Sequence, residues 1–540
     1  MVRLSPPYNE QTNSGLYPNF PHHIRDFTLV GVSPQIMALL LEWIYTRHVL
    51  LSGENVQDVV VAADMLLLEN LVKICYCYME DHMCPENCIS IWKFCHGVLS
   101  HKTKDLAWRF IMSHFEEVVN CNEFQLLTAQ ELSGFIEDDE LDVKNETVVY
   151  QAVLHWTNHD LQQRRVDFPR VLAKVRFDQI SLEFLNNNVL SNPLVKDHLH
   201  TREVQAIYAL SNSAGSHIRL IRPRLPGAIL LAIGGWSGGD PTNGIEAYDY
   251  KAGRWVNVTN HQERARAYHG SVFLNGSVYC VGGFDRTEYF NSVRRLDLAT
   301  RTWHEMPPMY HRRCYVSVAV LNGCIYAMGG HNGHIRLSTA EVFDPETNLW
   351  SPIRPMNEQR SDANCVAVNG EIYICGGFND IECLQTAECY DPRTKQWSLI
   401  APMTTRRSGV AVIAYGDYIY AVGDFDGTMR LNSVEAYSPR TNSWRPVASM
   451  LTTRSYCGIE VLNGRIFAVG GFNGLSTMYS VEAYDPLVDS WSFVCDMDIF
   501  RSGLNCCVIS GLPNMTGYAI SRNALPLLDI EMDESDEEAI

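Results

Sequence analysis

From residue 227 to residue 510, short apolar runs are cut by polar turns in one recurring pattern. Ile325-Tyr326-Ala327-Met328 and Ile372-Tyr373-Ile374-Cys375 each end in a pair of glycines, and Gly464 to Gly471 repeats the arrangement. Four apolar residues are too few for a stable helix and suit a buried strand. An earlier strand precedes the run, as in Val316 to Val320. A later one carries an acid and an aromatic, as in Glu341-Val342-Phe343, Glu388-Cys389-Tyr390, Glu435-Ala436-Tyr437 and Glu482-Ala483-Tyr484. A turn such as Asp344 to Asn348 then leads into a strand with a tryptophan. Four short strands per unit, with Asn-Gly and Asp-Gly turns, predict one blade of a radial propeller.

The unit occurs six times. First glycines fall at Gly234, Gly282, Gly329, Gly376, Gly423 and Gly470, in steps of 48, 47, 47, 47 and 47 residues. A tryptophan follows each by 21 residues: Trp255, Trp303, Trp350, Trp397, Trp444 and Trp491. A period near 47 would also suit some helical solenoids, and the β-branched and aromatic runs favour sheet. Arginines recur at 266, 313, 360, 407, 454 and 501 in steps of 47. Arg501 opens a last strand, 504–509, with no glycine pair behind it, while the first glycine pair lacks an arginine-led strand. The chain end is therefore expected to complete the first blade and pair the edges that an open array would expose. Two units depart from the pattern. Unit two has Arg294 and Leu296 where the others have an acid and an aromatic. Unit five has Asp424 in place of the second glycine, which predicts a locally strained or loosened blade.

These strands, glycine pairs and Tyr/Trp offsets resemble the kelch repeat. N-terminal to them the periodicity is helical. Ser33-Pro34 reads as a cap and first helical residue, and Ile36, Leu39, Leu40, Trp43 and Ile44 give an apolar face. A second helix is expected over Val56–Leu67, and further helices over 86–97, 103–118, 123–128, 145–158 and 200–210. Leu41 to Thr46 with Asn55-Val56 and Ala62-Ala63-Asp64 resembles the closing helices of a BTB domain, a dimerising and cullin-binding module. The block that follows resembles the BACK domain of BTB–BACK–kelch adaptors, most clearly around Val143, Val148 and Trp156. In wording, Ile233 to Gly239 and Arg313 to Ser317 are most similar to the germ-cell-expressed kelch-like adaptors.

The expected organisation is a flexible or atypical leader at 1–32, an incomplete BTB remnant at 33–72 and BACK-like helices at 73–210. A linker at 211–226, a six-bladed propeller at 227–510 and an acidic, disordered tail at 511–540 follow. The fold class is thus multidomain: all-α, then all-β. The upstream part of BTB, with its dimer helices and cullin-gripping motif, is not recognisable before Arg25. A homodimer is expected only where the full BTB domain is present.

Composition narrows the function. The 540 residues carry 43 Lys plus Arg against 62 Asp plus Glu, a net charge of -19, which argues against a general nucleic-acid binder. Seventeen cysteines, irregularly spaced, read as reduced, mostly buried intracellular thiols, so a cytoplasmic location is expected. No apolar run of 18 residues points to a membrane span. Cys84, Cys88, Cys95, His96 and His101 do not give the paired hooks of a structural zinc site. The histidines His261, His269, His304, His311, His331 and His334 follow no catalytic or copper-site arrangement. No metal, cofactor or catalytic residue is assigned. Gly234 to Gly239 is not a phosphate loop, because no helix opens after it.

What remains is binding. The resemblance implies a substrate adaptor of a cullin-3 ubiquitin ligase, whose bowl would take an unknown protein substrate. The resemblance places in that bowl Arg266, Arg313, Arg360, Arg407, Arg454 and Arg501, with Tyr268, Tyr315, Ser361, Ser408, Tyr456 and Ser502. It adds Trp236, Phe284, His331, Phe378, Phe425 and Phe472 from the loops after the glycines. A positive, aromatic-rimmed bowl would suit an acidic or phosphorylated peptide. The plainer reading is that the arginines are structural, each saturating carbonyls or a blade glutamate. The cullin side is expected around Cys84, Glu86, Asn87, Ile89 and Trp92. A second reading is a scaffold without ligase duty, such as an actin-associated kelch protein.

Overall fold

The computed structural model describes residues 31–97, 100–212, 223–260, 263–512 and 514–522. The chain divides into two compact units, Met1–Ala214 and Gly215–Ile540.

The first unit is helical. Its opening helix, Pro34–Thr46, begins as the sequence predicts, with Ser33 Oγ accepting the Ile36 N–H at 3.2 Å. Val56–Met65 follows. The helix Glu69–Asp81 was not anticipated, its Cys- and Tyr-rich face giving a weak apolar stripe, yet Leu71, Cys75 and Met79 are buried. Cys88–Gly97, His101–Ser113, Glu146–His159 and Arg202–Asn212 match expected helices. Ala129–Glu137 was also missed, although its capping box was legible: Thr128 and Glu131 bond each other's backbone. One apolar core joins these helices, from Leu40 and Val59 to Trp156. Trp156 is buried and donates its indole N–H to Leu127 O at 2.8 Å.

The second unit is the six-bladed propeller that the sequence predicts, each blade a four-stranded antiparallel sheet. Closure is as expected. The strand Asn505–Ser510 pairs with Ala228–Ile233 in continuous register, from Ile233 opposite Asn505 to Ala228 opposite Ser510. Each tryptophan lies opposite the aromatic of its blade, Tyr390 facing Trp397 with ring centroids 5.0 Å apart. Its indole N–H donates to the preceding blade: Trp350 to Pro307 O, Trp397 to Arg354 O, Trp444 to Ala401 O and Trp491 to Ala448 O. Trp255 does the same across the closure, to Cys495 O at 2.8 Å. The 21-residue offset thus reflects an inter-blade hydrogen bond. Blade two is the exception. Leu296 faces Trp303, whose indole nitrogen has no partner among the described residues.

Blade five is strained but not loosened. Asp424 takes φ +90° and the strand bulges between Val422 and Asp424. Its two central strands, Tyr418–Phe425 and Arg430–Ser438, are nevertheless longer than their five-residue counterparts in blade six, Arg465–Val469 and Val481–Asp485, and pair out to Phe425 opposite Arg430.

The expectation of a disordered tail from residue 511 does not hold over residues 514–522. Residues 514–522 pack against blades one and two, where Tyr518 donates to Leu298 O at 2.8 Å beneath the Arg301 guanidinium. Buried Arg522 pairs with buried Asp249 and donates to Arg224 O at 2.6 Å. Arg224 and Leu225, placed in the linker by the sequence, are likewise buried. The acidic residues from Asp529 onward lie outside the described residues, as does the greater part of the leader. All seventeen cysteines are free and most are buried. No described helix is long and apolar enough to cross a membrane.

The buried Arg522–Asp249 pair should stabilise the propeller. Arg522→Ala leaves Asp249 buried without its cation, so the propeller should lose about 3–5 kcal/mol in denaturant unfolding. An unchanged midpoint would mean that the pair is effectively solvated.

Candidate functional site: the bowl of the propeller

Because the strands alternate in direction, the loops after the glycine pairs and the segments leading into each first strand share one face. Isolated bridges tie the two sets together: Trp236 to Ser502, Ala267 to Phe284, Cys314 to His331, Ser361 to Phe378, Ser408 to Phe425 and Ser455 to Phe472.

The six arginines do not line this bowl. Arg313, Arg360, Arg407, Arg454 and Arg501 are fully buried, and Arg266 nearly so. Arg360 shows the arrangement. Its guanidinium donates to Glu388 Oε1 at 3.0 Å, to the Gly376 and Thr386 carbonyls at 2.9 and 2.8 Å, and to Thr386 Oγ1 at 2.9 Å. Arg313–Glu341, Arg407–Glu435 and Arg454–Glu482 repeat it, and Arg501–Glu246 repeats it across the closure. Each glutamate also accepts backbone N–H groups, as Glu388 does from Asn357 and Glu358. Meanwhile the arginine's own carbonyl accepts from the preceding blade, the Gly330 N–H donating to Arg360 O at 2.8 Å. A Cβ on Gly329, at φ +62°, would stand 2.1 Å from that oxygen, which is why the position is glycine. The expectation of a positive ring at the bowl is therefore corrected. A guanidinium at this depth must satisfy its donors internally, as those of Arg313, Arg360, Arg407 and Arg454 do, whereas Arg266 Nε and Arg501 Nε find no partner among the described residues.

Blade two swaps the charges. Arg294 replaces the glutamate, and Glu263 takes its place, bonded to Arg294 at 2.9 Å and lying 3.6 Å from Arg266. The altered unit keeps an anion beside its arginine.

Two residues past each arginine lies a second ring. Tyr268, Tyr315, Asp362, Gly409, Tyr456 and Gly503 all have φ between +53° and +81°. They form the floor of the bowl through backbone bonds around the axis: Tyr315 N–H to Tyr268 O, Asp362 to Tyr315, Gly409 to Asp362, Gly503 to Tyr456 and Tyr268 to Gly503. The sixth bond is missing. The Tyr456 N–H instead donates to Asp424 Oδ2 at 3.0 Å. A Cβ on Gly409 would meet the Asp424 carboxylate and the Tyr456 ring, so that glycine makes room for both. The Tyr268 ring lies over Gly503, and the three tyrosines pack together with centroids 4.4 to 6.0 Å apart. The Tyr456 hydroxyl reaches Asp362 Oδ1 at 3.0 Å. Below this floor a cavity of about 410 Å³ runs between the inner strands.

Both floor carboxylates are buried, and burial raises both pKa values, that of Asp424 to about 8. Arg336 donates to Asp362 Oδ2 at 3.3 Å, and Arg430 stands 3.8 Å from Asp424. Sequence reasoning missed Asp362, Arg336 and Arg430. The 47-residue step that finds Tyr268 and Tyr315 also lands on Asp362, whereas the two arginines sit in loops whose wording differs from blade to blade.

Of the other expected residues, Tyr268, Tyr315 and Tyr456 reach the floor, and Trp236, Phe284, His331, Phe378, Phe425 and Phe472 are half-buried around it. Ser361, Ser408 and Ser502 are buried in their bridges and do not offer their side chains to the bowl. The rim is uneven. Ile335, Ile381, Met429 and Leu475 are exposed at the tips of blades three to six, while blades one and two present Asp240, Arg286 and Glu288. Rim arginines are matched by acids, Arg264 with Asp285 and Glu288, Arg286 with Asp240, and Arg406 with Glu382.

In the helical unit, Ile89 and Trp92 are turned into the core, Trp92 packing on Trp108 and Phe135. They shape the expected cullin region without offering their side chains. Glu86 is exposed, Cys84 is half-buried, and Asn87 accepts the Cys84 N–H at 2.8 Å and donates to His82 O at 2.9 Å, holding the turn before the helix.

The second unit is thus a closed β-propeller whose open mouth is ringed by half-buried aromatic side chains. Comparison with protein-family models agrees. The Kelch motif matches residues 229–262, 265–310, 312–357, 359–404, 406–451 and 453–497. BACK (BTB And C-terminal Kelch) matches residues 88–190, and BTB/POZ domain matches residues 10–83. The chain belongs to the BTB–BACK–kelch family. The BTB match corrects the expectation that this domain is largely missing, since it takes in residues 10–32, set apart above as a leader.

Two measurements test the geometry. Arg407→Met strands Glu435 without its cation and should cost about 3–5 kcal/mol, whereas the partly exposed Arg430→Met should stay within about 0.5 kcal/mol of wild type. The Asp424 pKa is higher folded (about 8) than unfolded (about 3.8), so the folded state binds the extra proton. This contribution is fully present below about pH 3.8 and is lost as pH rises to about 8, on the order of 2 kcal/mol between pH 6 and 8. Asp424→Asn should flatten that slope in urea titrations.

Proposed function

We propose that this protein is a cytoplasmic substrate adaptor of a cullin-3 RING ubiquitin ligase. The observation that carries the reading is the order of parts in one chain: a BTB match, a BACK match and six kelch motifs closing into one propeller. In the BTB–BACK–kelch architecture the BTB and BACK parts hold the cullin and a second adaptor, and the propeller holds the substrate. Such an adaptor needs no catalytic group. It raises the effective concentration of a substrate lysine near a charged conjugating enzyme, converting an encounter between two molecules into one within a single assembly.

The bowl supports capture of a protein segment. Its floor offers tyrosine hydroxyls and its walls offer half-buried aromatic faces. On blades three to six the tips add apolar contacts of the kind that anchor interfaces. The second reading, a non-ligase scaffold such as an actin-associated kelch protein, would use the same bowl.

Pull-down of the full chain with cullin-3 and, separately, co-sedimentation with actin filaments distinguishes the two. Cullin-3 retention without actin binding is the expected result; the reverse would replace the adaptor reading with the scaffold.

A further inference from the structure

Five of the six seams between neighbouring blades are built alike. An aromatic on the second strand of one blade meets an aromatic on the third strand of the next. The pairs are Tyr279 with Phe343, Tyr326 with Tyr390, Tyr373 with Tyr437, Tyr420 with Tyr484 and, across the closure, Phe467 with Tyr248. Their ring centroids lie 5.8 to 6.4 Å apart. The tryptophan bond described above also crosses each of these five seams.

Between blades one and two both kinds of contact are lost. The two aromatic positions are Leu231 and Leu296, and Trp303 is the tryptophan whose indole nitrogen has no partner among the described residues. His269 is buried in the same seam with its ring against Gly234 of blade one, and neither of its nitrogens is bonded to a described residue.

The segment after the closing strand lies across this one seam. Residues 514–522 form a strap on the underside, away from the bowl, where the third strands of blades one and two end. On blade one, Arg522 pairs with Asp249, and the Ile520 N–H donates to Asp249 Oδ2 at 3.3 Å. On blade two, the Tyr518 hydroxyl donates to Leu298 O at 2.8 Å, and Asn514 Nδ2 donates to the Leu298 and Ala299 carbonyls at 3.1 and 3.0 Å. Met515 and Tyr518 are buried in the same apolar cluster as Leu231 and Leu296, so the strap supplies the ring that the two blades lack.

We infer that this strap is a clasp: it holds shut the seam between blades one and two, and its release opens that seam from the underside through to the floor of the bowl.

The floor is reached because one of its bonds spans the seam. The Tyr268 N–H of blade two donates to Gly503 O of blade one at 2.8 Å, and the Tyr268 ring lies over Gly503. Without the strap, Leu231 and Leu296 would face a space that a ring fills elsewhere, and side chains lining a void lose their dispersion contacts there. Opening also lets water reach Trp303 Nε1 and the two His269 nitrogens, buried polar atoms that are costly to leave unbonded. Both effects favour parting along this line over the other five.

Buried thiols report on the seams. Cys280 and Cys507 lie in this one, Cys365 between blades three and four, Cys375 between four and five, and Cys457 between five and six. The test uses the full chain under native conditions, with N-ethylmaleimide labelling read cysteine by cysteine and deuterium exchange read at the Tyr268 and Tyr315 amides. Tyr315 is the control, because its N–H donates to Tyr268 O across the seam between blades two and three. Tyr518→Ala should speed labelling of Cys280 and Cys507, and exchange at Tyr268, by about ten-fold or more. Cys365, Cys375, Cys457 and the Tyr315 amide should stay within about two-fold of wild type. If that variant does not fold, Tyr518→Phe, which gives up only the bond to Leu298 O, should shift the same three sites by about three- to ten-fold. Faster labelling with unchanged exchange at Tyr268 would mean that the strap lifts off a seam that stays closed. An equal rise in every seam would mean general loosening, and no change would mean that the seam holds without the strap. Any of these three results overturns the clasp.

Discussion

The propeller depends on one buried ion pair repeated around its axis. In blades three to six the arginine that opens a blade ties its guanidinium to a glutamate and two carbonyls of its own sheet. Through its backbone carbonyl it also accepts from the blade before. One residue thus fixes both the inside of a blade and the seam to its neighbour. Desolvating an isolated guanidinium or carboxylate is costly, so neither partner is tolerable alone. Blade two shows the constraint by violating the pattern without violating the charge balance. Where Arg294 replaces the glutamate, Glu263 comes in from the preceding loop.

The same constraint explains what was legible in the sequence. Periodicity gave six blades, the strand order and the closing strand, because each depends on backbone and apolar positions that recur every 47 residues. It also singled out the arginines. The direction in which they point was not legible, since a six-fold polar residue reads equally as a lining or as a staple. The glutamate 28 residues further on, at Glu341, Glu388, Glu435 and Glu482, was the available clue: a regular acid at constant offset marks an internal partner. The floor residues show the opposite limit. Asp362, Arg336 and Arg430 are set by one blade each, and only the fold brings them into one chain. In the helical unit the segments expected at 103–118 and 123–128 overlap the short helices Phe115–Val118 and Asn122–Gln125, whereas the break at His114 that separates the first of them from His101–Ser113 was not legible.

A ring built from near-identical units acquires individuality where a unit breaks rank. Asp424 replaces a glycine at φ +90° and removes one of six backbone bonds around the axis, yet blade five gains pairing beyond its bulge. The tips of blades three to six are apolar and those of blades one and two are charged, so the mouth has a direction although the scaffold does not. Binding surfaces on repeat folds generally work in this way, with shared positions holding the frame and divergent loops choosing the partner.

The closing strand has a consequence for how the molecule is made. Ala228–Ile233 is the first strand of the ring to leave the ribosome, and its partner Asn505–Ser510 is among the last. At ~5–20 residues per second, the intervening stretch takes roughly 15–55 s to synthesise. Throughout that interval Ile229, Leu231 and Ile233 stand at an unfilled sheet edge. Biosynthesis therefore passes through a nascent form with one sticky margin, open to a holding chaperone or to mispairing with a neighbouring polysome's product, until the final turn of the ring arrives.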